Sequence, residues 1–211
     1  MAAMDGLSEA LQSGRADEVK ALIKQALDEG VTAKAILEEG MMAGMDVVGV
    51  RFRDGEIFVP EVLMAARAMN GGIELLRPRL VSENVRPVGT VVIGTVKGDL
   101  HDIGKNLVKM MMEGKGLTVV DLGTNVSADQ FVTAACEHDA DIVCCSALLT
   151  TTMVEMKTII DAFVQAGARS RVKIMVGGAP VTQGYCDEIG ADAYEADAAS
   201  AAERALSFVS S

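Results

Sequence analysis

The sequence predicts two domains: a four-helix bundle, then a flavodoxin-like, doubly wound parallel sheet of five strands. Three observations carry that prediction. Residues 1 to about 80 hold apolar stripes at helical spacing and no strand-like alternation. From Gly89 onward, short β-branched runs alternate with helical stripes, the pattern of a parallel sheet whose crossovers are helices. Between the two textures, Val81–Gly89 is polar, contains Pro87 and reads as a linker, dividing the chain into residues 1–86 and 87–211.

In the first domain a short helix around Leu7 to Leu11 leads. Val19, Leu22, Ile23, Ala26 and Leu27 form the next stripe, closed by Gly30, and Ile36, Leu37, Met41, Met45 and Val48 form a third. Arg53-Asp54-Gly55 makes a turn. Pro60 then suits the first turn of a helix whose face carries Val62, Ala66, Met69, Ile73, Leu76 and Leu80. In the second domain the strands are Thr90–Ile93, Thr118–Leu122, Asp141–Ser146, Val172–Val176 and Ala191–Tyr194. Helices follow from Ile103 through Leu107, Met110 and Met111, from near Ser127, from Met153 to Ala166, from Thr182 to Ile189, and from Ala198 to Phe208.

Composition narrows the function. The 211 residues suffice for one large or two small domains. Half the chain is hydrophobic, yet only 3% is aromatic, and 13 Met and 21 Gly supply small or flexible apolar packing, as a cavity for something large would need. A net charge of -11 excludes the basic face of a nucleic-acid binder and suits solubility or docking to a basic partner. No stretch has the apolar length of a membrane span, and Met1-Ala2-Ala3-Met4-Asp5 lacks the basic start of a signal peptide, so a cytoplasmic location is expected. Cys136, Cys144, Cys145 and Cys186 form no C-x-x-C pair and are expected to be buried, reduced thiols.

The chemistry sits in the loop from Gly94 to Asn106, at the carboxyl end of the first strand, where open α/β sheets bind their ligands. It carries Asp99-x-His101-x-x-Gly104. Imidazole is a good ligand for a mid-series transition metal, and a carboxylate on its other ring nitrogen fixes the tautomer and raises its basicity. Gly98 and Gly104 would let a bulky partner approach the backbone. Ser146-Ala147-Leu148 ends the third strand and Gly177-Gly178 the fourth, so all three segments fall on one edge of a parallel sheet. Each feature also has a plainer reading. His101 could be an ordinary loop histidine, Ser146, Thr150 and Thr152 a helix-capping cluster, and Phe58 a core residue. Gly94-Thr95-Val96-Lys97-Gly98 could serve a nucleotide or phosphate, although it lacks the P-loop pattern.

The D-x-H-x-x-G, S-x-L and G-G segments at these separations, together with the preceding bundle, resemble the corrinoid proteins of methylotrophic methyltransferase systems over about residues 5 to 208. The phrases Ser146–Met153 and Gly177–Val181 look most like those of methylamine or betaine systems, with methanol and methoxylated aromatics as alternatives. The resemblance implies a cobalamin or related corrinoid cofactor with its lower base displaced, His101 as the cobalt ligand and Asp99 as its hydrogen-bond partner. Gly98, Leu100, Asp102 and Gly104 would line the same loop. Ser146 would bond the buried base of the tail with Leu148 beside it, and Thr150 would make a further contact. Thr152 would extend the Asp99–His101 pair. Gly177 and Gly178 would let the tail pass, and Ala198 would meet the corrin edge. Phe58, within Gly55–Glu61, would cover the upper face, assisted by Ala65 and Ala68, and the linker would act as a hinge. The implied function is a methyl carrier rather than an autonomous enzyme. It would accept a methyl group on Co(I) from a substrate:corrinoid methyltransferase and pass it from methyl-Co(III) to a methylcorrinoid:acceptor methyltransferase. A reductive activation protein would be a third partner. A cobalamin-binding sensor is the alternative, but no basic DNA-binding region is visible.

Overall fold

A computed structural model describes residues 2–210, without the side chains of Ala2, Ala3 and Asp5. The chain forms two compact units, Met1–Pro87 with Gly114–Gly116, and Val88–Glu113 with Leu117–Ser211.

The first unit is helical. Helices α1 (Ala2–Gln12) and α2 (Ala16–Asp28) are followed by α3 (Ala33–Ala35), a π-helical stretch Ile36–Met42, α4 (Ala43–Arg53) and α5 (Val59–Ser82). The leading helix is thus longer than Leu7 to Leu11, and the third apolar stripe spans an α–π–α rod rather than a uniform helix. Every predicted stripe supplies core: Leu7, Leu11, Val19, Ile23, Ile36, Met41, Val48, Val62 and Leu76 are fully buried. Gly40 packs its Cα face against Leu7, where an added Cβ would come within 2.7 Å of a leucine methyl. Thr32 caps α3, its hydroxyl accepting from the Ala35 N–H at 3.2 Å. The Val81–Gly89 linker is corrected: α5 runs to Ser82, because Leu80, two residues past Pro78, still packs at half-burial and the Glu83 N–H bonds back to Arg79.

The second unit is a five-stranded, all-parallel sheet in the order β2-β1-β3-β4-β5, the flavodoxin-like order. Its strands are β1 (Thr90–Thr95), β2 (Thr118–Asp121), β3 (Ile142–Ser146), β4 (Lys173–Gly177) and β5 (Ala193–Tyr194). Helices α6 (Ile103–Gly114), α7 (Ala128–Glu137), α8 (Thr150–Met153), α9 (Glu155–Gln165), α10 (Gln183–Ile189) and α11 (Ala198–Val209) make the crossovers and the final cover. Strand ends differ from the sequence reading by one or two residues: Leu122, Asp141, Val172, Ala191 and Asp192 fall outside. Asp141 instead accepts the Thr90 N–H on its carboxylate at 2.8 Å, stitching the entry of β1. The helix expected from Met153 begins at Thr150 and breaks at Val154.

Register places Val92, Val143 and Ile174 side by side on one face. They join Phe131 of α7 and Met156, Ile159 and Phe163 of α9 in one buried cluster. Residues of opposite parity, Val91, Ile93, Cys144 and Met175, are buried as well, as a sheet covered on both faces requires. Cys144, Cys145 and Cys186 are buried free thiols, and burial pushes the Cys144 thiol up to about 12. Cys136 is exposed, because it lies on the outer face of α7, which corrects the expectation of four buried cysteines. Among the described residues no helix is long and apolar enough to cross a membrane.

One buried ion pair ties α6 to β2. The Lys105 side chain is 2% exposed, and its Nζ donates to Asp121 Oδ1 at 2.6 Å and to Asn106 Oδ1 at 2.8 Å. Burial pushes the Asp121 carboxyl up, but the Lys105 hydrogen bond, the Gly123 N–H and the charges of Lys105 and Lys109 outweigh it and hold the group low. A carboxyl depressed in the folded state contributes stability above its unfolded value of about 3.9 and loses it as pH falls through the folded value. Lys105→Met should therefore cost about 3 kcal/mol at pH 7 in urea unfolding, with a shallower loss on acidification than the parent shows. Equal stability at pH 7 would show that Lys109 and Gly123 alone hold the carboxylate.

Candidate functional site

The site is built at the carboxyl ends of β1 and β3, on either side of the point where strand order reverses. After β1 the chain turns at Val96–Asp99, closed by the Asp99 N–H on the Val96 carbonyl at 3.1 Å. Gly98 occupies the left-handed position of that turn, at φ 81°. The turn drives Asp99 inward, to zero exposure, while His101 two residues later stays at the surface with its side chain 52% exposed.

The buried carboxylate collects five donors. Oδ1 accepts the His101 N–H at 3.1 Å and His101 Nδ1 at 2.7 Å. Oδ2 accepts the Leu148 N–H at 2.8 Å, the Leu149 N–H at 3.3 Å and the Thr152 hydroxyl at 2.8 Å. Burial alone would push Asp99 up, yet the Leu148 N–H, both His101 groups and the Thr152 hydroxyl hold its carboxyl well below the usual range. An ionised Asp99 makes Nδ1 the donor nitrogen, so in the neutral imidazole Nε2 is the nitrogen that carries the lone pair.

The other predicted residues fall as follows. Leu100 and Asp102 flank His101 and are exposed, and Asp102 accepts from the Asn106 amide at 3.1 Å. Ser146 ends β3 beside Thr95, half-buried, with its carbonyl accepting the Val96 N–H at 3.0 Å. Leu148 and Thr150 are exposed and Thr152 is buried. The capping reading of Ser146, Thr150 and Thr152 fails, because Leu149 is the residue that caps α8 and Thr152 donates its hydroxyl to Asp99.

Gly177 and Gly178 separate in role. At Gly177 an added Cβ would meet nothing within 4 Å, so open space lies there. At Gly178, φ 128°, a Cβ would stand 1.8 Å from the Ala147 carbonyl oxygen, so this glycine is required by the protein's own packing of the β4 turn on the β3 loop. Ala198 is buried at the first position of α11, beneath an Asp197 cap that accepts the Ser200 N–H at 2.9 Å. Phe58 lies in the helical unit, before α5, its N–H donating to Glu61 at 3.1 Å. It is 67% exposed, which removes the core reading, whereas Ala65 and Ala68 are fully buried.

Two braces escaped the sequence reading. Thr95 is buried and its hydroxyl donates to the His101 carbonyl at 2.8 Å, and Asn125 Oδ1 accepts the Gly98 N–H at 2.8 Å. Thr95 reads from sequence as an ordinary strand residue, and Asn125 lies 27 positions from its partner.

The donor set limits what can bind. Among the described residues no group of three or more His, Cys, Asp or Glu could hold a bare metal ion. One imidazole fixed by one carboxylate therefore fits a metal that brings its other ligands with it, as a corrin does. The open space at Gly104 and Gly177 and the exposed Leu100, Ile103, Leu148 and Leu149 fit a large, partly apolar macrocycle.

A flavodoxin-like sheet with a carboxylate-fixed histidine at its switch point, preceded by a helical unit, defines a class of cofactor-binding protein. Residues 89–206 match the B12 binding domain, and residues 3–77 match a second family that is also described as a B12 binding domain. The chain belongs to the B12-binding, corrinoid-protein family. It is 47% identical over 182 residues to trimethylamine corrinoid protein 2 of Methanosarcina acetivorans, covering 85% of this chain and 84% of that one. To dimethylamine corrinoid protein 3 of the same organism it is 42% identical over 209 residues, covering 97% and 98%. Its structure resembles a chain of the methanol:cobalamin methyltransferase complex of Methanosarcina barkeri, with a TM-score of 0.87, 30% identity and coverage of 99% and 80%.

Two substitutions test the site without cofactor. Thr152→Val should cost about 2 kcal/mol in urea unfolding, since a buried carboxylate loses a charge-assisted bond. Gly178→Ala should cost about 4 kcal/mol or prevent folding, since the new Cβ would stand 1.8 Å from a backbone carbonyl oxygen that cannot move aside. An unchanged midpoint in either would contradict the geometry above.

Proposed function

We propose that the chain is a corrinoid methyl carrier in which His101 Nε2 is the protein's ligand to cobalt. The single observation that carries this reading is the bond from His101 Nδ1 to the fully buried Asp99, which leaves only Nε2 for a ligand. When bound, the corrinoid supplies the methyl-accepting and methyl-donating chemistry, and the protein supplies the pocket. Asp99 holds the Nδ1 proton and the ring plane, and Thr152, Leu148 and Leu149 keep that carboxylate ionised. Leu100 and Leu148 offer apolar surface, and Gly104 and Gly177 leave room. Ser146, half-buried at the end of β3, is assigned to the nucleotide base by resemblance. Thr150 and Ala198 are assigned to the cofactor by resemblance, as is Phe58, whose exposure is compatible with covering a bound group.

A methyltransferase is the partner this reading requires, and the likeness to a chain of a methyltransferase complex supports it. The methylamine class of donor is favoured by the 42% and 47% identities to dimethylamine and trimethylamine corrinoid proteins. The acceptor methyltransferase and a reductive activation protein complete the proposed cycle. Three buried free thiols suit the reducing cytoplasm in which such a cycle would run.

The test is reconstitution. Full-length protein incubated with cobalamin and passed through a sizing column should emerge red, with corrin absorption in one-to-one ratio and the lower base displaced. His101→Ala should bind more weakly by at least the roughly 10- to 100-fold that losing a hydrogen-bond partner of a metal ligand costs. A colourless parent protein, or identical affinity in the variant, would defeat the reading.

A further inference from the structure

The ring of His101 is oriented by Asp99, but orientation does not set reach. Nε2 can meet a metal only if the backbone of residues 98–101 stands at the right height above the sheet, and that backbone is a surface loop. Two side chains outside the Asp99 network hold it.

Thr95 holds it from below. It is the last residue of β1 and has zero exposure, and its hydroxyl donates to the His101 carbonyl at 2.8 Å. Thr95 is itself immobilised, its N–H donating to the Gly123 carbonyl at 2.9 Å and its carbonyl accepting the Val126 N–H at 3.0 Å. Asn125 holds the loop from the side. Its Oδ1 accepts the Gly98 N–H at 2.8 Å, and its own N–H donates to the Asp99 carbonyl at 3.0 Å. Asn125 keeps φ at 57°, a left-handed conformation that asparagine tolerates better than most residues. The carbonyls of residues 99 and 101 and the N–H of residue 98 are thus pinned from β1 and from the loop after β2.

We propose that Thr95 and Asn125 are positioning residues that set the reach of His101 toward the corrinoid cobalt. The inference rests on the reading of His101 as ligand. Displacements of about 0.5 Å are enough to spoil a functional constellation. Loss of either brace therefore releases the ligand without touching the ring or Asp99.

The variants are chosen to keep shape and backbone freedom. Thr95→Val keeps the side-chain outline and removes the hydroxyl, and Thr95→Ser restores it. Asn125→Gly removes the acceptor while still permitting positive φ. Each full-length protein is grown with nitrogen-15 histidine, loaded with unlabelled cobalamin, reduced to Co(II) and read by electron paramagnetic resonance for the two-line coupling of the labelled protein histidine. The share of centres lacking that coupling should rise about threefold or more in Thr95→Val and Asn125→Gly and return toward the parent value in Thr95→Ser. In cofactor-free protein, hydrogen exchange at the Gly98 amide should quicken at least about tenfold in Asn125→Gly, as a bonded N–H becomes free. If Thr95→Val does not fold, Asn125→Gly decides alone, since Asn125 is exposed. Unchanged coupling in the folded variants, with normal coupling in the parent, overturns the brace and leaves the ligand reading intact. Thr95→Ser behaving like Thr95→Val also overturns it, because packing rather than the hydroxyl would then matter. Absence of histidine coupling in the parent overturns the ligand reading and the brace together.

Discussion

Everything at this site depends on one buried charge. Asp99 has no exposed surface, and an ionised carboxylate cannot stay in such a place without donors. Its donors come from two segments about 50 residues apart, the histidine loop and the stretch Leu148–Thr152. Meeting that need joins the β1 and β3 loops into one unit. The same bonds that neutralise the cost of burial hold the His101 ring by its Nδ1, so folding and the orientation of the imidazole are one event.

The requirement spreads outward through packing. For Leu148 and Leu149 to present their N–H groups, the chain leaving β3 must take one course, and the Ala147 carbonyl then lies against Gly178. That contact accounts for one half of the Gly177-Gly178 pair, and the open space at Gly177 accounts for the other. Behind the loop, Lys105 and Asp121 lock the start of α6 to the end of β2, so the helix that begins just after His101 cannot drift. The exposed histidine therefore stands on three buried side chains, Asp99, Thr95 and Thr152.

Local signals in the chain were sufficient for the strand–helix alternation, because a parallel strand buried on both faces reads as a near-continuous β-branched run, as Thr90–Ile93 does. They were sufficient for the pairing of Asp99 with His101, which lie two residues apart. They failed where a partner is distant or a conformation depends on packing. Nothing local distinguishes the π-helical turn at Ile36–Met42 from the α-helix around it. Thr95 and Asn125 carry no motif, since their partners are backbone atoms of another segment. The double glycine looked like room for a ligand, and half of it proved to be room for Ala147. Thr152 stands on the other side: the resemblance placed a hydroxyl near Asp99, and the 2.8 Å bond lies there.

In the proposed complex the protein's donor to cobalt is the His101 imidazole, which stands in place of the cofactor's own base. The chain has two histidines, His101 and His138, and His138 lies at the end of α7, after its last turn. Protein grown with nitrogen-15 histidine and carrying His138→Gln would leave His101 as the single labelled ring. Loaded with unlabelled cobalamin and examined as Co(II) by electron paramagnetic resonance, it should show the axial coupling change from the three-line pattern of nitrogen-14 to the two-line pattern of nitrogen-15. A three-line pattern that survives labelling would mean that the nitrogen belongs to the cofactor, and that the Asp99–His101 pair serves some other end.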